Sequence, residues 1–89
     1  MLIRKIRFDH LKFHSADDDH RAVVIFTTDR GSISLLARAP LPSGAARQEV
    51  AVELVRDAVR QVRRMPEFRQ RHEDVGLAPD ALPSRSTMA

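Results

Sequence analysis

Cysteine, tryptophan and tyrosine are all absent from this 89-residue chain. Without cysteine there is no disulfide staple and no thiolate zinc site. Without Trp or Tyr, the aromatic content is four phenylalanines, Phe8, Phe13, Phe26 and Phe68, so a core must be mainly aliphatic. Glycine is scarce and scattered singly, at Gly31, Gly44 and Gly76, which rules out a phosphate-cradling glycine loop. No run approaches the roughly 20 apolar residues that span a bilayer. The basic start MLIRKIRF is not followed by the continuous apolar segment of a signal peptide. These absences together lead us to expect a soluble, cytoplasmic protein that carries no cofactor.

Lysine is also scarce. Of the fifteen basic residues only Lys5 and Lys12 are lysines, and the remainder are arginines, giving a net charge of +3 and a pI near 10.5. A basic pI suits nucleic acid, but in so short a chain it reflects a handful of charges. A domain of this size buries only about 60% of its unfolded surface. Lacking disulfides and a thiolate zinc site, it is the kind of chain for which a second subunit supplies extra buried area.

The chain opens with apolar alternation. Ile6 and Phe8 are in step, as are Leu11 and Phe13, and one extra residue near Asp9–His10 would bring all four to one face. A strand over 2–14 with a β-bulge is predicted. SADDDH (15–20) reads as a surface loop. RAVVIFTT (21–28) is apolar on both faces, Val23 and Ile25 on one and Val24 and Phe26 on the other, as in a strand in the middle of a sheet covered on both sides. DRGS (29–32) is a tight turn in which Gly31 takes positive φ, and SISLLARA (32–39) is a third strand. A two-residue loop at Arg30–Gly31 sets Phe26 opposite Leu35. A three-residue loop sets Ile25 there, and the pattern permits both.

PLPSG (40–44) ends the sheet, since proline lacks the ladder donor, and Ser43 is the expected N-cap of a helix over about 45–65. Ala51, Leu54, Val55, Ala58, Val62 and Met65 fall within roughly 100° on that helix, with Val52 and Val59 at one margin. Pro66 then kinks the helix or opens a short second one anchored by Phe68. DVGLA (74–78) is a possible short fourth strand. Residues 79–89 form a proline- and small-residue-rich tail expected to be disordered. The fold class is therefore α+β: one domain over 1–78, with a three-stranded antiparallel sheet followed by one long amphipathic helix in two layers. One helix covers one sheet face, yet the middle strand is apolar on both. A second copy of the chain is the simplest cover, packed sheet on sheet or strand to strand, and a homodimer is expected.

Three constellations bear on chemistry. VRQVRRMPEFRQRH (59–72) carries Arg60, Arg63, Arg64, Arg69 and Arg71, a candidate nucleic-acid or anion surface that Arg4, Lys5 and Arg7 would extend. No aromatic platform is interleaved for base stacking. Arg60, Arg63 and Arg64 also suit a helix C-terminus, and Arg56 and Arg60 follow Glu53 and Asp57 at helix-pair spacing. Beyond Pro66, Arg69 and Arg71 have no structural duty visible in the sequence. The His/Asp-rich stretch suggests a metal set of His14, His20 and Asp18 meeting across a hairpin. His10 and His14 lie about 13 Å apart along a strand, too far to share one ion. Finally, no nucleophile elbow or zincin helix is present. The leading expectation is a non-catalytic homodimeric interaction or structural module. A nucleic-acid-binding accessory role is the alternative, and metal binding the third.

Overall fold

The apolar alternation does build three consecutive antiparallel strands, followed by one helix on one face of the sheet. This is seen in the computed structural model, which describes residues 2–65 and 76–77. The strands are β1 (Leu2–His14), β2 (Asp19–Thr28) and β3 (Gly31–Ala39). They are followed by α1 (Arg47–Arg63) and a two-residue β4 (Gly76–Leu77). The sheet order is β3-β2-β1-β4, with β4 parallel to β1 at Leu2 and Ile3. The DVGLA stretch thus does return to the sheet edge, through Gly76 and Leu77. Among the described residues no helix is long and apolar enough to cross a membrane.

The β1 bulge falls where the alternation breaks. The register slips between Asp9 and Lys12, and His10 carries the slip with φ 57. Phe8 pairs with Val24 and Phe13 with His20, so both phenylalanines share the helix-covered face. Leu11 does not join them and stays 43% exposed, because it sits inside the bulge itself. A second irregularity lies between Ile3 and Lys5. The loop between β1 and β2 is shorter than the polar composition suggests. It spans 15–18, with Asp18 at φ 53, and β2 begins at Asp19 rather than Arg21.

The β2–β3 hairpin adopts neither register expected from the pattern. Thr28 pairs with Gly31 across a two-residue loop, Asp29–Arg30, which sets Phe26 opposite Ile33 and Val24 opposite Leu35. Thr28 explains the choice. Its Oγ1 donates to the Gly31 carbonyl at 2.8 Å and accepts the Arg30 N–H at 3.0 Å, closing the turn one residue early. Gly31 is not a loop residue but the first of β3, with φ +123. The slide relative to the Arg30–Gly31 loop is two residues, so the same side chains still face the helix. Asp29 also ties the turn to the start of β1, donating its N–H to the Leu2 carbonyl and accepting the Leu2 N–H at Oδ1.

Helix α1 starts later than expected, and Ser43 does not cap it. The Ala45 N–H donates to the Pro42 carbonyl at 3.0 Å, which locks Ser43 and Gly44 inside a turn. Ala46, in extended backbone and without a side-chain cap, becomes the N-cap. Glu49 in the first turn and Arg60 and Arg63 in the last complement the helix dipole. The buried stripe is Val50, Ala51, Leu54, Val55, Ala58 and Val62. Val50 joins the expected stripe one residue before Ala51, and Met65 packs against it half-buried. The helix rests mainly on β3 and β2. There Ala22, Ala37 and Ala39 of the sheet and Ala51 and Ala58 of the helix are all at most 2% exposed, so the two layers approach closely. Phe26 and Val24, both 0% exposed, fill the centre. Pro66, Phe68, the expected second helix and the 79–89 tail lie outside the described residues.

Candidate functional site

The face of the sheet turned away from α1 carries side chains that the core beneath the helix does not use. The register aligns its side chains in rows across β1, β2 and β3: Lys5, Thr27 and Ser32; Arg7, Ile25 and Ser34; Asp9, Val23 and Leu36; Lys12, Arg21 and Arg38. At the centre lie Val23 and Ile25, half-buried, and Leu36, which is 64% exposed. Around this apolar centre runs a rim carrying both signs of charge, in which Arg7 and Asp9 pair at 3.5 Å.

One end of the face holds an ion network. Asp19 is 2% exposed and accepts hydrogen bonds from Arg21 Nε at 3.0 Å and from Arg38 Nε at 2.8 Å, while Arg21 also pairs with Asp17. Burial acts to raise the Asp19 pKa. The hydrogen bonds from Arg38 and Arg21, reinforced by their charges, outweigh it and hold the carboxyl below its ordinary value. Arg38 is pushed up by the same bond to Asp19. Asp29 is also held low, chiefly by the Leu2 N–H, against a smaller opposing effect of burial.

The three residues of the candidate metal set do not come together. His14 pairs with Asp19, and His20 is the next residue along β2, so strand alternation sends the two histidines to opposite faces. His20 is buried, packs edge-on against Phe13 at 4.9 Å, and places Nε2 2.9 Å from the Pro42 carbonyl. A carbonyl only accepts, so that nitrogen carries the proton and is unavailable to a metal. Asp18 is exposed in the loop. No group of three metal-ligating side chains occurs among the described residues. No local pattern signals the duty of His20, which is to tie the β3–α1 connection to the sheet.

The arginine run divides similarly. Arg56 pairs with Glu53 at 2.8 Å and Arg60 with Asp57 at 3.3 Å, the helix pairs expected from their spacing. Arg64 is exposed and its N–H caps the helix end, and Arg63 is exposed in the last turn. Arg4, Lys5 and Arg7 are exposed on β1, remote in the sheet order from the strand on which α1 chiefly rests. Arg69 and Arg71 lie outside the described residues. A shallow open cavity of about 340 Å³ lies beside the start of α1, lined by Leu41, Gln48, Glu49, Val52 and Glu53.

What sequence reading missed is the role of Asp57 and Gln61. Spaced i, i+4 on α1, they reach past the core to the outer edge of β3. Asp57 Oδ2 accepts the Arg38 N–H at 3.0 Å, and Gln61 Nε2 donates to the Leu36 carbonyl at 2.8 Å. Their polar, solvent-side position on the helical wheel resembles that of any surface pair, so the sequence carried no signal for this contact.

The chain is a two-layer α+β domain in which, among the described residues, α1 covers one sheet face and no element covers the other. No family model, curated protein or solved structure matches it.

Proposed function

We propose that the chain is a small non-catalytic interaction module, acting in the cytoplasm, whose open sheet face receives a second copy of itself. The observation that carries this reading is the contiguous apolar centre of that face, Val23, Ile25 and the 64% exposed Leu36, on the side α1 does not cover. Two further points support a second copy as occupant. A two-fold interface places the same patch on both sides and must be self-complementary. On the rim Arg7 and Asp9 supply both signs, so the arginine of one protomer can face the aspartate of the other, while Lys5 and Lys12 add positive charge at its two ends. The dimensions fit a modest association. Three strands about 4.8 Å apart and four rows about 6.7 Å apart give a face of roughly 14 by 27 Å. That is smaller than the roughly 800 Å² per partner of a standard interface, so a reversible dimer in the micromolar range is expected.

The arginines of α1 add little to a nucleic-acid reading, because Arg56 and Arg60 are engaged by Glu53 and Asp57. Analytical ultracentrifugation of the full chain between about 10 and 500 μM tests the proposal across the affinity expected of a small interface. A concentration-dependent shift from monomer to dimer supports it, and a monomer throughout overturns it. Titration of labelled RNA and duplex DNA at two salt concentrations runs beside it. Binding that collapses as salt rises, in a chain that stays monomeric, would favour the nucleic-acid alternative.

A further inference from the structure

We infer that the outer edge of β3 is guarded by α1: Asp57 and Gln61 occupy the edge hydrogen-bonding groups of Arg38 and Leu36 and close that half of the edge to strand addition. The consequence drawn for assembly, that a second copy is directed to the open face, rests on the function proposed above. The guard itself does not.

Hairpin geometry fixes which groups point outward. Thr28 and Gly31 close a two-residue loop, so alternate residues Gly31, Ile33, Leu35, Ala37 and Ala39 direct their backbone groups to β2. Ser32, Ser34, Leu36 and Arg38 direct theirs away from it, toward the free edge. An uncovered row of this kind is a template for another strand. Here the Arg38 N–H is taken by Asp57 Oδ2 at 3.0 Å and the Leu36 carbonyl by Gln61 Nε2 at 2.8 Å. The two side chains also hold each other. Gln61 Nε2 donates to Asp57 Oδ2 at 3.2 Å, and Arg60 Nη2 donates to Asp57 Oδ1 at 3.3 Å. The arginine that looked like a nucleic-acid candidate thus positions the guard.

What remains of the edge is the outward groups of Ser32 and Ser34 and the Leu36 N–H, so an added strand loses the Arg38 end of the ladder. The other side of the sheet is blunted by different means. β1 carries Lys5 and Lys12, the Asp9–Lys12 bulge and His10 in positive φ, all features that discourage strand pairing.

Amide hydrogen exchange on the unmodified full chain tests the guard without any substitution. The Arg38 N–H should exchange roughly tenfold or more slowly than the Ser34 N–H, which points outward on the same strand with no such acceptor among the described residues. Equal exchange at the two amides overturns the inference, and so does strong protection of Ser34, which would mean that the edge is already paired. The variant Asp57→Ala/Gln61→Ala should speed exchange at Arg38 and sediment as larger species than the parent chain. Asp57→Asn, which keeps an acceptor oxygen, should preserve Arg38 protection. A folded double variant that sediments like the parent overturns the inference. Repeating the double variant with Leu36→Arg separates the two proposals: edge assembly should persist when the face is spoiled. A protected Arg38 in a chain that is monomeric throughout would uphold the guard and refute only the face dimer.

Discussion

Leu36→Ala is the substitution whose effect on self-association follows most directly from the geometry. The change removes three carbons, each worth about 0.8 kcal/mol when fully buried. Since 64% of Leu36 is still exposed in the single chain, docking would bury about 1.5 kcal/mol of that contribution per copy. A two-fold interface contains the residue twice, so the dimer should lose about 3 kcal/mol, or roughly 150-fold in Kd. The protomer should lose less than about 1 kcal/mol of stability, because little of the side chain is buried to begin with. Sedimentation equilibrium of the two proteins measures the first quantity and urea unfolding the second. Leu36→Met, which keeps most of the apolar surface, should dimerise within a few-fold of the parent. If Leu36→Ala dimerises as tightly as the parent, the open face is not the interface and the reasoning fails.

Other perturbations probe the fold beneath that surface. Phe26→Ala empties the centre of a thin core at a fully buried position and should cost about 3 to 5 kcal/mol, enough to leave the chain largely unfolded by circular dichroism at room temperature. Gly31→Ala meets no neighbouring atom within 4 Å, so its cost is backbone strain at φ +123 alone, about 1 to 3 kcal/mol in chemical denaturation. Asp19 and Asp29 are held below their ordinary pKa in the folded chain, so each contributes stability that is present above the unfolded value of about 3.9 and is lost as pH falls through the folded value. Asp19→Asn should therefore be less stable than the parent at neutral pH, with the gap narrowing below about pH 4 in urea titrations. A constant gap across that range would exclude Asp19 as a source of the acid sensitivity.

Much of the fold was legible because it is written in consecutive residues. The two-residue alternation of β1, β2 and β3, the break in step at Asp9–His10 and the prolines after Ala39 are local patterns, and each marks an element or its end. The 100° stripe from Ala51 to Met65 marked α1 in the same way. The limit came wherever a side chain, a backbone N–H or a strand had several partners to choose from. Thr28 closed the hairpin one residue before the glycine that seemed to define it. The Ala45 N–H turned back to Pro42 and removed Ser43 from the helix start. His14 and His20 are close in sequence, but pairing with Asp19 puts one on each side of the sheet.

The sequence alone determined the order of elements, the buried side of each and the excess of apolar surface on β2, since these depend on spacing within one segment. Tertiary structure alone decided what that excess faces and how the sheet's edge is closed. Arg38 meets Asp57 across 19 positions and Leu36 meets Gln61 across 25. Contacts of that range exist only once the helix has crossed the sheet at a particular place. The packing of the buried stripe of α1 on β3 and β2 sets that crossing, and no periodicity within either segment encodes it.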